Sequence, residues 1–462
     1  MALDALKRDL PDLRLEENPR LVLQKSRDFY WYSPVLKRQL AEVTAEAVAS
    51  PTSEDEILMI LGACWRHEIP VTVRGAGTGN YGQAMPLAGG LLLDLSRFDK
   101  VREVGDGFVV ADPGAILAHI DKEAAPSGQE LRLSPSTYRT ASIGGFIAGG
   151  SGGVGSIRWG GLRDLGNIIS VRLAAMDGST PTVLDLRGAD IAKASHAYGT
   201  TGVITQVTMP LAKAYQWTDV LISFPKLVDA VRFGEKLAAA DGILLKNLAV
   251  VDGYVTPYFR RHADYVRPGE ALVMAMAAPF AAGDVMDMGR RAGGTVTLYS
   301  ENLDEVERSH LPPSFELGWN HTTLRALRTD PSITYLQVLY PQPNITEKIM
   351  AMAERFGDEV PTHLEFVRFD GAVGCFGLPL VRFTTEERLD EIIKIHEDSG
   401  SVIFNPHRYT LEEGGMKQTD EIQLDFKRRA DPKGLLNPGK MIAWEHPEFD
   451  YGKPYLFPTL SS

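Results

Sequence analysis

The sequence predicts an α+β protein with two domains, and two observations carry this prediction. Two short apolar runs, residues 71–74 and 91–95, enclose a loop with four glycines between Gly75 and Gly82. From about residue 215 to 429, strand-like runs alternate with amphipathic helix patterns, which indicates a mixed domain of sheet and helices. The chain has 462 residues, enough for two or three domains with a large core.

Composition and charge exclude several classes of protein. Hydrophobic residues make up 44% and charged residues 23%, as in ordinary globular proteins. The formal net charge of -12 argues against a partner nucleic acid or anionic membrane. The two cysteines, Cys64 and Cys375, form neither a disulfide framework nor a CxxC pair. No apolar run approaches the about 18 residues of a transmembrane helix, and residues 1–9 lack a signal-peptide core, so a cytoplasmic protein is expected.

In the first half of the chain, boundary signals predict the elements in order. Ser53 is a predicted N-cap, because acidic residues and then apolar residues at helical spacing follow it. The aromatic run at residues 29–32 is interpreted as packing. The elements predicted after the glycine loop are a strand at 108–111, a helix at 116–120, a strand at 168–176 ending in a hairpin turn, and a glycine-led strand at 199–209.

In the second half, the pattern predicts a domain with a β-sheet and helices. The expected elements are strands at 220–224, 333–340, 381–383 and 402–404, and helices at 227–239, 347–356 and 386–397.

The glycine loop is predicted to bind phosphate, because a loop with few side chains can point several backbone N–H groups at one anion. It lacks the Gly-Lys-Ser/Thr ending of a Walker loop. It also runs into a second strand, whereas the last glycine of a Rossmann fingerprint opens a helix. A glycine-rich turn without a ligand is the alternative. A second glycine-rich segment, residues 133–155, is too apolar for a flexible linker and suits close approach to a flat ligand.

Three ordered segments resemble the FAD-binding domain of the vanillyl-alcohol oxidase superfamily, also called the p-cresol methylhydroxylase (PCMH) type. They are Ile69-Pro70-Val71 through Thr78, the run from Pro135 to Gly153, and Gly199-Thr200-Thr201-Gly202-Val203-Ile204-Thr205. A fourth segment, Asp431 to Lys440, is similar to the closing segment of the glycolate oxidase and D-lactate dehydrogenase branch.

This resemblance implies a PCMH-type two-part FAD-binding domain at 1–213, an α+β cap domain with an antiparallel sheet at 214–429, and a returning C-terminal segment at 430–462. It implies three groups of residues around FAD. The first loop would hold the pyrophosphate through Arg74, Gly75, Ala76, Gly77, Thr78 and Gly79. The second segment would line the ribityl and isoalloxazine portion with Pro135, Thr140, Ser142, Gly144, Gly145 and Ala148. Gly202 and Ile204 would flank the adenine side, and Asn437 would reach back toward the FAD-binding domain.

FAD is expected to be non-covalent, because neither glycine segment contains the histidine that covalent members use. Aligned from Gly400 with the glycolate oxidase branch, His407 falls on an active-site histidine, although Pro406 replaces the preceding glutamate. His407 is therefore the predicted proton acceptor and Tyr409 a second candidate, while a loop-capping histidine is the alternative reading. Arg382 could bind a carboxylate, but a structural role is favoured, and residues 319–321 are a further candidate for the pocket lining.

No catalytic metal is predicted, because the histidine-rich cluster of metal-assisted relatives is replaced by the segment from His363 to Gly371. The predicted function is FAD-dependent oxidation of a small organic substrate at a C–OH or comparable C–H bond. Oxygen or an electron carrier would reoxidise the flavin, and a homo-oligomer is compatible. The alternatives are a metal-free D-2-hydroxy-acid dehydrogenase and a flavin-bearing subunit of a larger redox complex.

Overall fold

The structure is a computed structural model and describes residues 2–150, 152–415 and 419–449. Contacts between backbone positions divide the chain into two units. The first unit is built from Met1–Ser151, Leu162–Ala214 and Asn405–Ser462, and the second from Gly152–Gly161 and Tyr215–Phe404. This division differs from the expected one in two places. The chain re-enters the first unit at Asn405 rather than near residue 430, and a short piece of the second glycine-rich segment lies in the second unit.

The strands and helices are numbered in chain order. The strands are β1 (Leu15–Glu16), β2 (Ala47–Ala49), β3 (Val71–Arg74), β4 (Leu91–Asp94), β5 (Val101–Gly105), β6 (Phe108–Ala111), β7 (Gln129–Leu131), β8 (Ser170–Ala174), β9 (Val183–Arg187), β10 (Val203–Lys213), β11 (Thr218–Phe224), β12 (Leu245–Val251), β13 (Ala271–Ala277), β14 (Thr295–Tyr299), β15 (Ile333–Tyr335), β16 (Val338–Tyr340), β17 (His363–Phe369), β18 (Ala372–Gly377), β19 (Leu380–Arg382) and β20 (Val402–Ile403). The α-helices are α1 (Ala2–Asp9), α2 (Pro19–Lys25), α3 (Pro34–Gln39), α4 (Glu54–His67), α5 (Leu117–Ala124), α6 (Ile143–Gly149), α7 (Ser156–Trp159), α8 (Leu227–Ala238), α9 (Pro279–Arg291), α10 (Glu305–His310), α11 (Trp319–Leu327), α12 (Ile345–Phe356), α13 (Glu386–Asp398), α14 (Glu421–Ala430) and α15 (Ile442–Glu445).

The first unit contains two sheets. One has the strand order β1-β2-β4-β3, with β2, β4 and β3 parallel to one another. The other is antiparallel, in the order β5-β6-β10-β8-β9, and β7 pairs with the far end of β10. Helix α4 begins at the predicted N-cap, where the Ser53 hydroxyl accepts the N–H of Glu56, and its apolar face packs into the core around β3 and β4. This arrangement fixes the end of β3, from which the glycine loop leaves.

The second unit is organised around one antiparallel sheet of eight strands, in the order β14-β11-β13-β12-β17-β18-β16-β20. Helices α8 and α9 pack on this sheet, and the short helix α7 packs on β12 and β17. The backbone N–H of Gly155 also donates to the carbonyl of Lys246, at 2.8 Å. These contacts explain why Gly152–Gly161 joins the second unit.

Two local predictions need correction. The alternation over 333–340 predicted one strand, but the chain forms β15 and β16, which belong to different sheets. The break falls at Leu336, whose N–H turns to the carbonyl of Pro379 at 3.1 Å. The second glycine-rich segment also contains the helix α6, which its composition did not indicate, because glycine is a poor helix former. Within the described residues, no helix combines the length and apolar character needed to cross a lipid bilayer.

Candidate functional site

The first loop, residues 74–83, presents backbone donors from the end of β3. In the part of the chain that the structure describes, the N–H groups of Gly77, Thr78 and Gly79 have no protein acceptor. All three residues are partly buried. Gly77 has a φ of 67°, and a Cβ there would overlap the guanidinium of Arg74, so the loop requires glycine at this position. Successive N–H groups of this kind form a concave site for an anion.

The side chain of Arg74 lies inside the loop and holds it in shape. Its Nη1 donates to the carbonyl of Arg27, and its Nη2 donates to the carbonyl of Ala76 at 3.2 Å. Burial lowers the pKa of Arg74, but a guanidinium stays charged in proteins. The loop therefore combines backbone donors with a fixed positive charge, which favours a phosphate.

The second glycine-rich segment meets the first loop at the start of α6. The hydroxyl of Ser142 accepts the N–H of Ala76 at 3.1 Å. A Cβ on Gly75 would overlap this hydroxyl and would lie 3.5 Å from the Cα of Gly145. Glycine at position 75 thus permits close contact between the two segments. The structure brings together four residue positions that the sequence predicted to share one cofactor.

Two other predicted residues of this segment form a separate turn. The N–H of Tyr138 donates to the carbonyl of Pro135 at 3.0 Å. The N–H and hydroxyl of Thr140 both donate to the carbonyl of Thr137, at 2.8 and 3.2 Å. Thr140 is exposed and Pro135 is partly buried. The carbonyl of Tyr138 also accepts the N–H of Ala118 at 3.2 Å and its hydroxyl donates to Asp121 at 2.8 Å, so the turn is attached to α5.

The remaining predicted positions of α6 have clear packing roles. The N–H of Gly144 donates to the carbonyl of Pro113 at 2.8 Å, and a Cβ there would lie 2.6 Å from the Cβ of Pro113. The carbonyl of Ala148 accepts the N–H of Tyr198 at 2.8 Å. This last bond connects α6 to the start of the third predicted segment.

The third segment packs against both sheets of the first unit. A Cβ on Gly199 would lie 3.5 Å from the Cβ of Val73, next to the first loop. A Cβ on Gly202 would lie 2.5 Å from Leu173, and Ile204 is buried on β10 opposite the same leucine. Gly202 is therefore required by packing.

Asn437 connects the C-terminal segment to the predicted FAD-binding segments. Its side-chain amide donates to the carbonyl of Gln83 at 2.9 Å and to that of Tyr198 at 2.6 Å. Its backbone N–H donates to the carbonyl of Val71 at 2.8 Å. The side chain of Gln83 in turn accepts the N–H of Tyr81 at 3.0 Å. Asn437 thus fixes the strand before the first loop, the end of that loop and the residue that precedes the third segment.

A buried acid and a buried amine flank the end of the first loop, and the sequence did not indicate either. Asp28 accepts the N–H groups of Tyr30 and Ala84, at 2.9 and 3.2 Å. Lys440 donates to the carbonyl of Gly82 at 2.6 Å. Burial raises the pKa of Asp28 to about 6 and lowers the pKa of Lys440 to about 7. Each group partly offsets the pKa shift that burial causes in the other, because a nearby opposite charge favours the ionised form.

His407 lies in the first unit, where it is 2% exposed. Its Nδ1 is 2.7 Å from the hydroxyl of Ser33, and its backbone N–H donates to the side chain of Asn405 at 2.9 Å. Tyr409 is partly buried, and the centre of its ring is 5.1 Å from Nζ of Lys440. Both predicted proton-transfer candidates are therefore in the unit that contains the first loop.

A second histidine in this unit was missed by the sequence analysis. His196 and Tyr198 donate their backbone N–H groups to the carbonyls of Ile147 and Ala148 in α6, each at 2.8 Å. Both side chains are buried, and among the described residues Nδ1 of His196 and the hydroxyl of Tyr198 have no hydrogen-bond partner. Burial, with a smaller contribution from Arg163, lowers the pKa of His196 to about 3. The only sequence signal was its position just before the third segment.

In the second unit, Glu365 is the centre of a buried polar group that we call the Glu365 cluster, formed by Asn247, Trp319, His363 and Glu365. The Glu365 carboxylate accepts the N–H of Trp319 at 2.6 Å and the amide of Asn247 at 3.3 Å, and lies 2.9 Å from Nε2 of His363. The indole of Trp319 donates to Asn247 at 3.1 Å. The side chains of His363 and Glu365 are no more than 1% exposed.

The other candidates in the second unit have structural partners. Arg382 donates to the carbonyl of Asp358 at 2.8 Å and lies 3.5 Å from the carboxylate of Asp330. His321 pairs with Glu316 at 3.1 Å. Within the described residues, no three His, Cys, Asp or Glu side chains gather as metal ligands would. The expected absence of a catalytic metal remains a prediction.

Sequence comparisons find one family model and several curated relatives that match this chain. A family model described as an FAD binding domain matches residues 45–183. The glycolate oxidase subunit GlcD of Escherichia coli is 27% identical over 442 residues, covering 88% of this chain and 86% of the relative. The D-lactate dehydrogenase of Archaeoglobus fulgidus is 26% identical over 424 residues, covering 86% and 91%.

Solved structures show the same fold at lower sequence identity. An alkyldihydroxyacetonephosphate synthase superposes with a TM-score of 0.70 at 16% identity, over 95% of this chain and 85% of that chain. The 4-ethylphenol oxidase from Gulosibacter chungangensis superposes with a TM-score of 0.68 at 18% identity, over 95% and 96%. The predicted resemblance to PCMH-type FAD-linked oxidases and the predicted fold class are both confirmed.

Proposed function

We propose that this chain, an FAD-linked oxidoreductase, oxidises a C–OH or comparable C–H bond of a small organic substrate, with FAD held non-covalently and His407 as the proton acceptor. The observation that carries the proposal is the first loop, where three successive N–H groups without an acceptor among the described residues lie beside the charge of Arg74. Such donors suit the pyrophosphate of FAD. The residues present therefore fit FAD, the ligand in the description of the matching family model.

Within this proposal, the residues predicted to contact FAD have distinct tasks. Within the first loop, the residues from Arg74 to Gly79 bind the pyrophosphate, and Ser142 and Gly145 hold α6 against them. Asn437 keeps the end of the loop in place. Pro135, Thr140, Gly144, Ala148, Gly202 and Ile204 keep the roles that the resemblance assigns to them, and cofactor titration of single variants tests each one.

His407 supplies the proton transfer. Oxidation of an alcohol removes a proton from oxygen and a hydride from carbon, so one side chain must accept the proton. When bound, FAD accepts the hydride. A neutral imidazole can accept a proton, and the contact between Nδ1 and the hydroxyl of Ser33 holds the ring in place. Tyr409 is the second candidate, and its hydroxyl could orient the substrate.

The first substrates to test are 2-hydroxy acids. Two relatives that match most of this chain are named for glycolate oxidase and D-lactate dehydrogenase. A metal-free D-2-hydroxy-acid dehydrogenase is thus the favoured specific form of the proposal. Because Arg382 is occupied by Asp330 and Asp358, we assign the recognition of a substrate carboxylate to other groups.

A flavin-bearing subunit is the second candidate, because the Escherichia coli relative is itself named a subunit. Gel filtration of protein purified from its own cells distinguishes the two forms. A persistent complex with other chains supports the subunit, whereas an active homo-oligomer supports the complete enzyme. The electron acceptor, either oxygen or a carrier, is identified in the same preparation by measuring oxygen uptake. Cell fractionation tests the proposed cytoplasmic location.

Anaerobic bleaching of the flavin tests the reaction and its base. Wild-type protein is mixed with hydroxy acids, sugars, aromatic alcohols and amines, and the substrate class is the one that bleaches the flavin. His407→Ala should retain FAD and slow bleaching by about 10²- to 10⁴-fold, the usual contribution of a general base. Bleaching at the wild-type rate by His407→Ala would rule out this base, and Tyr409→Phe then identifies or excludes the second candidate.

Acid precipitation tests the non-covalent cofactor. The yellow colour should remain in the supernatant, since Cys64 and Cys375 are fully buried and the first loop contains no histidine. Colour in the pellet would overturn the proposal, and the variants His196→Ala and His407→Ala would then locate the covalent bond.

A further inference from the structure

His196 and Tyr198 are two buried polar side chains of the first unit, and we call them the His196/Tyr198 pair. They are 5% and 3% exposed, and the centres of their rings are 5.6 Å apart. Among the described residues, neither Nδ1 of His196 nor the hydroxyl of Tyr198 has a hydrogen-bond partner. Buried polar groups in folded proteins almost always have such a partner. Two unsatisfied groups side by side therefore favour a site for a polar ligand.

The backbone holds the pair in a strained conformation. His196 and Tyr198 have φ angles of 55° and 51°, and this left-handed region is unfavourable for residues other than glycine. Three hydrogen bonds keep the segment there. The two backbone N–H groups donate to the carbonyls of Ile147 and Ala148, each at 2.8 Å, and the carbonyl of Tyr198 accepts the side-chain amide of Asn437 at 2.6 Å. The surrounding structure thus fixes the direction of both side chains.

The polar ends of the pair converge beside Gly415, which is itself buried. A Cβ at this position would overlap the hydroxyl of Tyr198 and would lie 2.8 Å from Nε2 of His196. The φ angle of Gly415 is not positive, so its backbone does not require glycine. The space in front of the two polar groups does require it.

The pair suits an uncharged ligand. Burial lowers the pKa of His196 to about 3 and, with the charge of Asp28, raises the pKa of Tyr198, so both side chains are neutral. The nearby guanidinium of Arg163 is paired with Asp420 at 3.0 Å. A neutral imidazole has one donor and one acceptor nitrogen, and a phenol hydroxyl both donates and accepts. The pair can therefore bind neutral hydrogen-bonding groups, but it offers no charge to a carboxylate or a phosphate.

The pair also lies beside the segments proposed to bind FAD. At one end of α6, the hydroxyl of Ser142 accepts the N–H of Ala76 in the first loop. Ile147 and Ala148, which bind the backbone of the pair, are near the other end of this helix. Seven residues of α-helix extend over about 10 Å. The pair is thus separated from the proposed pyrophosphate site by most of the length of α6, on the side where an uncharged part of FAD would follow.

We infer that the His196/Tyr198 pair binds the uncharged polar part of FAD, either the hydroxyls of its ribityl chain or the polar edge of its flavin ring. This inference rests on the proposed binding of the pyrophosphate by the first loop. The pair only donates and accepts hydrogen bonds, and no covalent bond forms or breaks.

The test is titration of flavin-free protein with FAD, combined with denaturant unfolding of the same preparation. Tyr198→Phe removes only the hydroxyl and should weaken FAD binding by about 3- to 10-fold, the effect of one hydrogen bond. It should not lower the stability of the flavin-free protein, because this hydroxyl has no partner among the described residues. The matched control is Tyr340→Phe, at an equally buried tyrosine of β16 in the second unit, which should bind FAD like the wild type.

A second variant tests the space beside the pair. Gly415→Ala places a methyl group where the two polar ends converge and should weaken FAD binding at least as much as Tyr198→Phe. Wild-type affinity in either variant would overturn the inference. Lower stability of flavin-free Tyr198→Phe with unchanged FAD affinity would show that a buried water is the partner, and would also overturn it. A wild-type protein that does not bind FAD would instead refute the proposed function.

Two FAD analogues distinguish the two parts of the cofactor. One carries a methyl group on N3 of the flavin ring, and the other has an alkyl chain in place of the ribityl chain. The loss caused by Tyr198→Phe should disappear with the analogue that lacks the contacted group, because that hydrogen bond is then absent from both proteins. A loss that persists with both analogues would overturn the inference.

Discussion

The first loop and the Glu365 cluster use hydrogen-bonding groups in opposite ways. In the loop, the N–H groups of Gly77, Thr78 and Gly79 have no acceptor among the described residues. In the cluster, the carboxylate of Glu365 is surrounded by donors of its own unit. Donors without acceptors are characteristic of a ligand site, whereas a closed polar network holds a core together. Loss of a group should therefore change cofactor affinity in the first case and stability in the second.

The largest expected effect is on the stability of the Glu365 cluster. Glu365→Ala should lower the free energy of unfolding by about 3–5 kcal/mol, because it leaves buried donors without their acceptor. Its FAD affinity should equal that of the wild type. Denaturant unfolding and cofactor titration measure the two quantities.

The control for this change is Glu354→Ala, at an exposed position of α12, where the stability should change by less than about 0.5 kcal/mol. Glu365→Gln keeps an oxygen for the N–H of Trp319 and should lose less than the alanine variant. A Glu365→Ala variant as stable as Glu354→Ala would remove the distinction between the two regions.

The second expected effect is on cofactor affinity at the first loop. Gly77→Ala should weaken FAD binding by about 10-fold or more, since alanine costs about 1–2 kcal/mol at positive φ and its Cβ displaces Arg74. Titration of flavin-free protein with FAD measures the change.

The matched glycine is Gly283, an exposed position within α9 where a Cβ meets no neighbouring atom. Gly283→Ala should leave FAD binding unchanged and raise stability by about 0.5–1 kcal/mol. If both variants bound FAD like the wild type, the shape of the first loop would not matter for the cofactor.

The smallest expected effect is an acid-dependent loss of stability shared by both units. Burial, reinforced by nearby arginines, lowers the pKa of His196 to about 3 and that of His262 to about 4. As the pH falls, each histidine therefore becomes protonated in the unfolded chain before it does so in the folded protein. The free energy of unfolding falls as the pH drops from about 6.5 towards 4. At pH 5.5 each histidine should cost about 1 kcal/mol.

Replacement by glutamine separates the two contributions. His196→Gln and His262→Gln should each reduce the loss between pH 8 and pH 5.5, in the first and second unit respectively. His119→Gln is the control, because this side chain is 51% exposed. A pH dependence unchanged in both buried variants would show that other groups cause the acid sensitivity.

Local sequence signals predicted the parts of the fold that depend on neighbouring residues. Ser53 correctly marked the start of α4, and the strands on either side of the first loop were found because apolar runs flank a dense glycine cluster. The prediction of a single strand at 333–340 was wrong, because alternation along the chain does not reveal that β15 and β16 pair with different strands. Helix α6 was missed because its glycines serve close packing, at the expense of helix propensity.

The candidate site was less predictable where contacts join distant segments. The contact between Ser33 and His407 has no local signature, since a serine before Pro34 reads only as a helix cap. Asp28 and Lys440 are likewise ordinary charged residues in the sequence, and only folding buries them. A site that binds its ligand through backbone groups leaves a pattern of glycines in the sequence. A site that is assembled from side chains of distant segments leaves no such pattern.

The position of Asn437 has a consequence for biosynthesis. Its bonds to Val71, Gln83 and Tyr198 mean that segments made before residues 215–404 are anchored by a residue made after them. The ribosome releases residue 437 only after the whole second unit has been synthesised. A nascent chain that stops at residue 404 therefore lacks this anchor, and cofactor loading should follow the synthesis of residue 437.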